Sequence, residues 1–278
     1  MRRDIGEFSG LAGIQLCWQS WHPESQGKAV LVIMHGGNNY CDMPGLNEFA
    51  IRLADAGFIV YSYDQRGFGR SEGIRMHMGK WEFIRGDLAA FLHFVNIKEP
   101  NIPIYAFGAS FGAAQTFDQA IVSPHLLKGI ILAAFSTIPL EIPSVSRLMI
   151  KVLGKFAPEL KMRAEPPESY RGAKQKLKDS NLWADPLCPA TMTFGNVHEL
   201  MKRQRDFASQ AHLISLPILH IQGTRDVIAK PDPSFLAKVS SLDRTYKMYD
   251  AEHDIFTSEQ TENIIADIIY WLSERVGN

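Results

Sequence analysis

The sequence predicts an α/β protein in which helices cover both faces of a mostly parallel central sheet and a helical cap is inserted into the chain. Three observations support this prediction. Short apolar runs rich in β-branched and aromatic residues recur along the chain, helix-like segments separate most of them, and one long interval contains no strand candidate. Strands that alternate with helices in this way pair in parallel, because each connecting helix packs on a face of the sheet.

Each strand candidate is short enough to be a single buried strand. In chain order the strand candidates are Ile14 to Trp21, Ala29 to Met34, Phe58 to Tyr63, Ile102 to Phe107, Gly129 to Ala134, Pro217 to Gln222 and Thr245 to Tyr249. The helix candidates are Leu46 to Ala56, Trp81 to Asn96, Ser110 to Val122 and Glu259 to Val276. At 278 residues the chain is long enough for one such domain that carries an insertion.

The alternation stops between about Ser136 and Leu213, and this interval is too long for a structureless loop in a compact domain. We therefore predict that residues 136–212 form a helical cap and that residues 1–135 and 213–278 form the core. One segment of the cap has apolar residues at helical spacing, namely Val145, Leu148, Met149, Val152, Leu153 and Phe156. This apolar face either packs on the core or belongs to a lid that touches lipid or an acyl chain.

The composition excludes some classes of protein. The chain has 29 Lys and Arg against 30 Asp and Glu, so no overall field steers it to nucleic acid, and we expect no nucleic-acid partner. Its cysteines, Cys17, Cys41 and Cys188, have none of the paired spacings of a zinc site or a disulfide framework, which favours a reducing, cytoplasmic location. The polar N-terminus predicts no signal peptide, and no apolar stretch approaches the roughly 18 residues of a membrane span.

Two serines lie in the pattern Gly-x-Ser-x-Gly, which is typical of a nucleophile elbow, where a strand runs into a tight turn and then a helix. The segment Gly108 to Gly112 has that setting, because it follows a strand candidate and opens a helix candidate, and its glycines relieve crowding around the turn. The segment Gly69 to Gly73 instead follows a glycine-rich loop some residues past a strand. We therefore predict that Ser110 is the nucleophile and that Ser71 belongs to a structural turn.

A serine hydroxyl needs a base to remove its proton, and the base needs an acid that orients it and stabilises its charged form. With this kind of elbow, the three residues follow in the order Ser, then Asp or Glu, then His. Asp226 lies on the loop just after the strand candidate at 217–222, and His253 lies on the loop between the last strand candidate and the final helix. We predict that Asp226 is the acid and His253 the base.

Other residues fit these two roles less well. Asp250 and Asp254 remain alternative acids, although both stand so near His253 in sequence that local geometry makes it hard for them to reach the ring nitrogen facing away from Ser110. Among the other histidines, His220 lies inside an apolar strand, where a core role is expected. His77 and His198 lie away from any strand end.

The tetrahedral intermediate of acyl transfer also needs backbone N–H donors for its oxyanion. One donor is the residue after the nucleophile, here Phe111, and the other comes from a loop after an earlier strand. His35-Gly36-Gly37-Asn38-Asn39 follows such a strand, and its glycines allow unusual backbone angles, so we predict Gly37 as the second donor. This chemistry implies neither a metal nor an organic cofactor.

Together these residues resemble the monoacylglycerol lipase and lysophospholipase-like group of α/β-hydrolases over nearly the whole chain. The resemblance rests on His35-Gly36-Gly37, the run from Asp64 to Gly73, the elbow at Ser110, Asp185-Pro186-Leu187, the run from Gly223 to Asp226, and His253. It implies an α/β-hydrolase fold with a cap inserted after the sixth strand, hydrolysis of carboxylic esters with an acyl chain, and the roles already predicted for Ser110, Asp226, His253, Gly37 and Phe111. The chain departs from the group at Asn38-Asn39-Tyr40, where a Gly-Glu-His run is common.

We therefore expect a serine carboxylic-ester hydrolase that forms an acyl-enzyme on Ser110. Its expected substrate is a small-molecule ester with one acyl chain, such as a monoacylglycerol or a lysophospholipid, and we also expect transient contact of the cap with a membrane surface. The nearest alternative is a thioesterase or peptidase with the same triad, since a fold does not fix the substrate. A non-catalytic binding protein on this fold is the other alternative, and the presence of every triad member argues against it. The sequence leaves the oligomeric state open.

Overall fold

The computed structural model describes residues 1–139, 141–163, 185–189 and 191–276. The strands in these residues are β1 (Arg2–Ser9), β2 (Gln15–His22), β3 (Val30–Met34), β4 (Ile59–Tyr63), β5 (Ile104–Ala109), β6 (Gly129–Ala133), β7 (Lys161–Arg163), β8 (Thr191–Thr193), β9 (Ile218–Gly223) and β10 (Arg244–Tyr249). The α-helices are α1 (Pro44–Asp55), α2 (Trp81–Lys98), α3 (Phe111–Val122), α4 (Ser144–Phe156), α5 (Phe194–Gln210) and α6 (Thr261–Val276).

Eight of these strands form one sheet in the order β1-β2-β4-β3-β5-β6-β9-β10. All neighbouring pairs from β4 through β10 in this order are parallel, whereas β2 pairs antiparallel with β1 and with β4. The predicted mostly parallel sheet is therefore confirmed. The sequence pattern did not reveal β1, because this edge strand is rich in charged residues and only Phe8 in it is buried.

The central strands are continuous apolar runs because both faces of the sheet are covered. In β3, Val30 and Val32 pack into the hydrophobic cluster that includes residues of α2 and α3. The alternate residues Leu31 and Ile33 pack into the opposite cluster, which includes residues of α1 and α6. Every residue of β3, β4, β5 and β6 is buried. This arrangement confirms the predicted α/β architecture and brings the carboxyl ends of β3, β5, β9 and β10 to one edge of the sheet.

The chain between β6 and β9 contains α4, the short antiparallel pair β7–β8, and α5, which packs along α4; we call the described residues of this stretch the cap. Most apolar side chains of α4 face solvent: Val145 is 82% exposed and Phe156 is 75% exposed, and in this helix only Ile150 and Gly154 are fully buried. The interpretation in which the apolar face of α4 packs on the core is therefore wrong, because α4 rests on α5 and turns that face outward. Residues 140, 164–184 and 190 of the predicted cap lie outside the described residues.

None of the described helices is both long enough and apolar enough to cross a membrane.

Candidate active site

Ser110 lies in a sharp turn between the end of β5 at Ala109 and the start of α3 at Phe111. Its φ of 54° is a left-handed conformation, which a residue with a side chain adopts only when the surrounding structure enforces it. A Cβ at position 108 would overlap the carbonyl of Gly112, and a Cβ at position 112 would overlap the carbonyl oxygen of Met34 on the neighbouring strand. The two glycines flanking Ser110 therefore let the turn close against β3, which agrees with the predicted elbow.

The structure brings Ser110, His253 and Asp226 into one hydrogen-bonded chain, although 143 residues separate the first two. The Ser110 hydroxyl donates to Nε2 of His253 across 2.7 Å, and Nδ1 of His253 donates to Oδ2 of Asp226 across 2.8 Å. Asp226 follows β9 and His253 follows β10, so both loops leave the same edge of the sheet as the elbow. This is the geometry that a general base for a serine nucleophile requires.

Asp226 is held by four hydrogen bonds. Its Oδ1 accepts the backbone N–H groups of Ile228 at 2.9 Å and Ala229 at 2.8 Å, and its Oδ2 accepts the Gln222 side chain at 3.0 Å in addition to His253. Gln222 was not identified from the sequence as a residue that supports the site. A signal was present, because a buried amide at the end of an otherwise apolar strand needs a partner there.

Burial sets the protonation states of this pair. Loss of solvent raises the pKa of Asp226 to about 6 and lowers the pKa of His253 to about 4, because both charged forms are poorly solvated there. At neutral pH the imidazole is therefore neutral and can accept the Ser110 proton, while the carboxylate is charged and can stabilise the imidazolium that forms.

The carboxylates of the alternative acids, Asp250 and Asp254, bind other partners. Asp250 forms an ion pair with Arg225, and Asp254 accepts the backbone N–H of Phe256 at 2.9 Å and the Thr257 hydroxyl at 2.8 Å. Neither carboxylate makes a hydrogen bond to His253 among the described residues.

The residues predicted to be structural are buried in the scaffold. Ser71 accepts the backbone N–H of Cys17 at 2.9 Å and donates to the carbonyl of Asp64, which confirms its role in a structural turn. His220 is fully buried in β9, and Nε2 of its ring donates to the carbonyl of Phe135 at 3.0 Å, as expected of a core histidine.

The two predicted oxyanion donors lie on segments next to the elbow: Phe111 follows Ser110 directly, and the loop that carries Gly37 approaches Ala109 at Gly36. Phe111 is the first residue of α3, so its N–H has no partner within the helix, and Gly37 lies on the loop that follows β3. The expected role of the loop glycines needs correction: neither Gly36 nor Gly37 has a positive φ, and the left-handed residue is Asn38, with φ 55°. Gly36 matters for another reason, since a Cβ there would lie 3.2 Å from the carbonyl oxygen of Ala109 in the elbow, a tighter contact than most side chains make.

This loop is also tied to the cap, a feature that sequence reasoning missed. The side-chain amide of Asn38 donates to the carbonyl of Thr191 in β8 at 3.1 Å, and the Tyr40 hydroxyl donates to Oδ2 of Asp185 at 2.6 Å. These residues belong to the segment in which the chain departs from the group it resembles. The side chains of Asn38 and Tyr40 therefore fix the loop that carries Gly37 against the cap.

Helix α5 covers Ser110 and presents Leu200, Gln204 and Phe207 to a pocket that is otherwise lined mainly by apolar groups. The remaining lining residues are Ser110, Phe111, Ala114, Ala134, Phe135, Ser136, Ile228, Ala229 and His253. Pockets of this kind, mostly apolar with a few convergent polar groups, are typical of small-molecule sites.

Polar contacts fix α5 to the core. Asn196 accepts the backbone N–H of Met78 at 2.9 Å, and Glu199 accepts that of Trp81 at 3.1 Å. Gln204 also donates to the carbonyl of Ile138, which follows β6, at 3.0 Å. Helix α5, which covers Ser110, is thus held in a fixed position over the pocket.

A strained serine between a strand and a helix, at the carboxyl edge of this sheet, defines the chain as an α/β-hydrolase. The family model described as serine aminopeptidase, S33 matches residues 25–260, and the chain belongs to that family. It is a serine hydrolase of the monoacylglycerol lipase-like kind, as the residues of the elbow, Asp226 and His253 led us to expect.

Individual relatives are distant but match over most of their length. Monoglyceride lipase of Rattus norvegicus is 24% identical over 283 residues, which cover 99% of this chain and 92% of the relative. Monoacylglycerol lipase of Mycolicibacterium smegmatis is also 24% identical, with 97% of each chain covered. The crystal structure of Paleococcus ferrophilus monoacylglycerol lipase superposes with a TM-score of 0.79 at 21% identity, covering 94% of this chain and 99% of that one.

Proposed function

We propose that this protein hydrolyses carboxylic esters that carry a single acyl chain, such as a monoacylglycerol or a lysophospholipid, through an acyl-enzyme on Ser110. The observation that carries the proposal is the hydrogen-bonded chain from Ser110 through His253 to Asp226. The names of the two lipases among its relatives support an ester of this class.

In the first half of the reaction, Nε2 of His253 takes the proton of the Ser110 hydroxyl while the oxygen attacks the ester carbonyl carbon. The electron pair of the carbonyl moves onto its oxygen, and the N–H groups of Gly37 and Phe111 stabilise the resulting oxyanion. When the carbonyl re-forms, the bond to the alcohol oxygen breaks and His253 returns its proton to that leaving oxygen. The acyl group is then bound to Ser110.

In the second half, water occupies the place of the alcohol and gives a proton to His253 as it attacks the acyl carbon. Collapse of this intermediate breaks the bond to Ser110, which recovers its proton from His253, and the carboxylic acid leaves. Asp226 stays ionised throughout and orients the ring through Nδ1. The apolar lining of the pocket, which includes Phe111, Leu200 and Phe207, suits an acyl chain.

The ester assignment is tested with a fluorophosphonate probe and a substrate panel. The probe is expected to label the wild-type protein and not Ser110→Ala, and Ser110→Ala is expected to lower kcat/KM by at least about a thousandfold. A series of esters, thioesters and amides of graded chain length then separates an esterase from the thioesterase and peptidase alternatives. Labelling that survives in Ser110→Ala contradicts the nucleophile, and faster turnover of amides contradicts the ester class.

We also propose that the outward apolar face of α4 touches a lipid surface, from which a single-chain substrate is drawn. Exposed Val145 and Phe156 on this face share the helix with the cations Lys151 and Lys155, which occupy other positions around it, a combination typical of helices that lie in a membrane interface.

The test of this contact is co-sedimentation with phosphatidylcholine vesicles. Val145→Ser/Phe156→Ser is expected to bind these vesicles more weakly than the wild-type protein. Leu242→Ser is the matched control, because Leu242 is 99% exposed and lies in the core domain, away from the cap. Equal binding by the wild-type protein and the double variant contradicts the contact.

A further inference from the structure

Helices α4 and α5 pack along each other, and their closest approach includes Gly154 against His198, where a Cβ at position 154 would overlap the histidine side chain. The N-terminal part of α4 and the middle of α5 line an open cleft of about 310 Å³. We call this space the cap cleft; Ser144, Leu148, Ile150 and Met201 form part of its wall.

The polar wall of the cap cleft is cationic. Arg147 and Lys151 line it from α4, one helical turn apart, and Lys202 and Arg205 line it from α5. Among the described residues no carboxylate lines the cleft, and no ion pair joins Lys151, Lys202 or Arg205 to another of these residues. Because the chain as a whole carries a net charge of −1, this concentration of positive charge is local.

We propose that the cap cleft binds the phosphate group of an anionic phospholipid at a membrane surface. Two arginines and two lysines line one space, and guanidinium forks pair with phosphate oxygens in a bidentate manner. The cleft walls also continue into the apolar face of α4, since Leu148 lines the cleft and is 62% exposed. A ligand with a phosphate and adjoining acyl chains matches both surfaces, whereas a soluble anion matches only the first.

This site is separate from the pocket at Ser110. Leu200, Gln204 and Phe207 turn toward Ser110, whereas Lys202 and Arg205 lie on another face of the same helix and turn toward α4. The cleft therefore holds a lipid that the enzyme does not hydrolyse, and it keeps the cap at an anionic surface. The inference extends the proposed lipid contact of α4 and does not depend on ester hydrolysis.

The experiment compares binding of the full chain to vesicles of phosphatidylcholine alone and to vesicles that also contain phosphatidylglycerol. We expect the wild-type protein to prefer the anionic vesicles, and Lys202→Gln/Arg205→Gln to lose about tenfold or more in affinity for them. Arg147→Gln/Lys151→Gln removes the same charge from the other wall and is expected to act alike. The matched control is Lys98→Gln/Lys128→Gln, which removes two exposed cations from the core domain and is expected to bind like the wild-type protein.

Three results would overturn the proposal. The first is equal affinity of the wild-type protein for the two kinds of vesicle. The second is an equal loss in the control and cleft variants, which would mean that net charge alone drives binding. The third is stabilisation of the wild-type protein by inorganic phosphate, lost in Lys202→Gln/Arg205→Gln, without a preference for anionic vesicles, because the cleft would then be a site for a soluble anion.

An assay with a soluble short-chain ester, run without vesicles, separates this inference from the proposed function. The cleft variants are expected to turn over that ester at the wild-type rate, since none of the altered residues lines the pocket at Ser110. A wild-type protein that binds anionic vesicles but hydrolyses no ester contradicts the proposed function and leaves the cap cleft proposal supported.

Discussion

Nδ1 of His253 lies 2.8 Å from Oδ2 of Asp226, although Asp250 and Asp254 stand much closer to His253 along the chain. The reason is the direction of the ring. Nε2 must face Ser110, so Nδ1 points away from the elbow toward the loop after β9, where Gln222 and two backbone N–H groups already hold the Asp226 carboxylate.

Replacement of Asp226 by asparagine is expected to lower kcat/KM for an ester by about a thousandfold or more, because the amide cannot hold the imidazole in the tautomer that accepts the Ser110 proton. Steady-state kinetics with a soluble ester measure this loss. Asp250→Asn is the control: it removes the same charge next to His253 in sequence but breaks only an exposed pair with Arg225, so near-wild-type rates are expected. A larger loss in Asp250→Asn than in Asp226→Asn would mean that Asp250, and not Asp226, is the acid that orients His253.

The pH dependence of kcat/KM is expected to have an acid limb with a midpoint near pH 6. Burial raises the pKa of Asp226 to about 6 and lowers the pKa of His253 to about 4, so the pair takes up its first proton near pH 6 as the pH falls. Catalysis needs a charged Asp226 next to a neutral His253, and the first proton removes this state. Activity is therefore lost below about pH 6 and retained at higher pH. A midpoint above about pH 7 would mean that the carboxylate raises the pKa of His253 more than burial lowers it.

Ser71→Ala is expected to lower the free energy of unfolding by about 1 to 3 kcal/mol, because it leaves the buried N–H of Cys17 and the carbonyl of Asp64 without their hydrogen-bond partner. Urea unfolding measures this change. Labelling of Ser110 by a fluorophosphonate is expected to persist, which separates the two serines that share one sequence pattern. Loss of labelling in the folded Ser71→Ala variant would contradict the structural role.

The parts of the site that could be predicted are those with strong local signals. The elbow at Ser110 follows from a strand, a glycine pair and a helix in succession, and the positions of Asp226 and His253 follow from strand ends that meet at one edge of the sheet. Gln222 was missed, because the sequence shows that an amide at the end of an apolar strand needs a partner but does not show which residue that partner is.

The cap was harder to predict for a physical reason. The apolar spacing of α4 is the same whether that face meets the core or the solvent, so periodicity alone could not orient the helix. The contacts of Asn38 and Tyr40 with Thr191 and Asp185 join segments about 150 residues apart, and such pairings depend on tertiary packing that no local pattern encodes.

Asp118, a carboxylate on α3 that is only 1% exposed, connects the core to the cap. It accepts Trp81 Nε1 at 2.9 Å, Arg85 Nε at 2.6 Å and, from α5, Arg203 Nε at 2.7 Å. Arg203→Met keeps an unbranched apolar stem and removes one of the two charges that balance Asp118. Since Arg85 remains, the expected cost is about 2 kcal/mol in the free energy of unfolding.

Arg203→Met is also expected to raise KM for long-chain esters more than for short ones, because α5 carries Leu200 and Phe207 over Ser110 and loses a fixed point on the core. Thermal unfolding and kinetics on soluble esters of two chain lengths measure the two effects. Arg205→Met provides the comparison, since it removes the same charge from the same helix at a residue that makes no ion pair with another described residue, and it is expected to change neither quantity. If Arg203→Met lowered stability but its effect on KM did not depend on chain length, the ion pair would stabilise the fold but would not position α5 over the pocket.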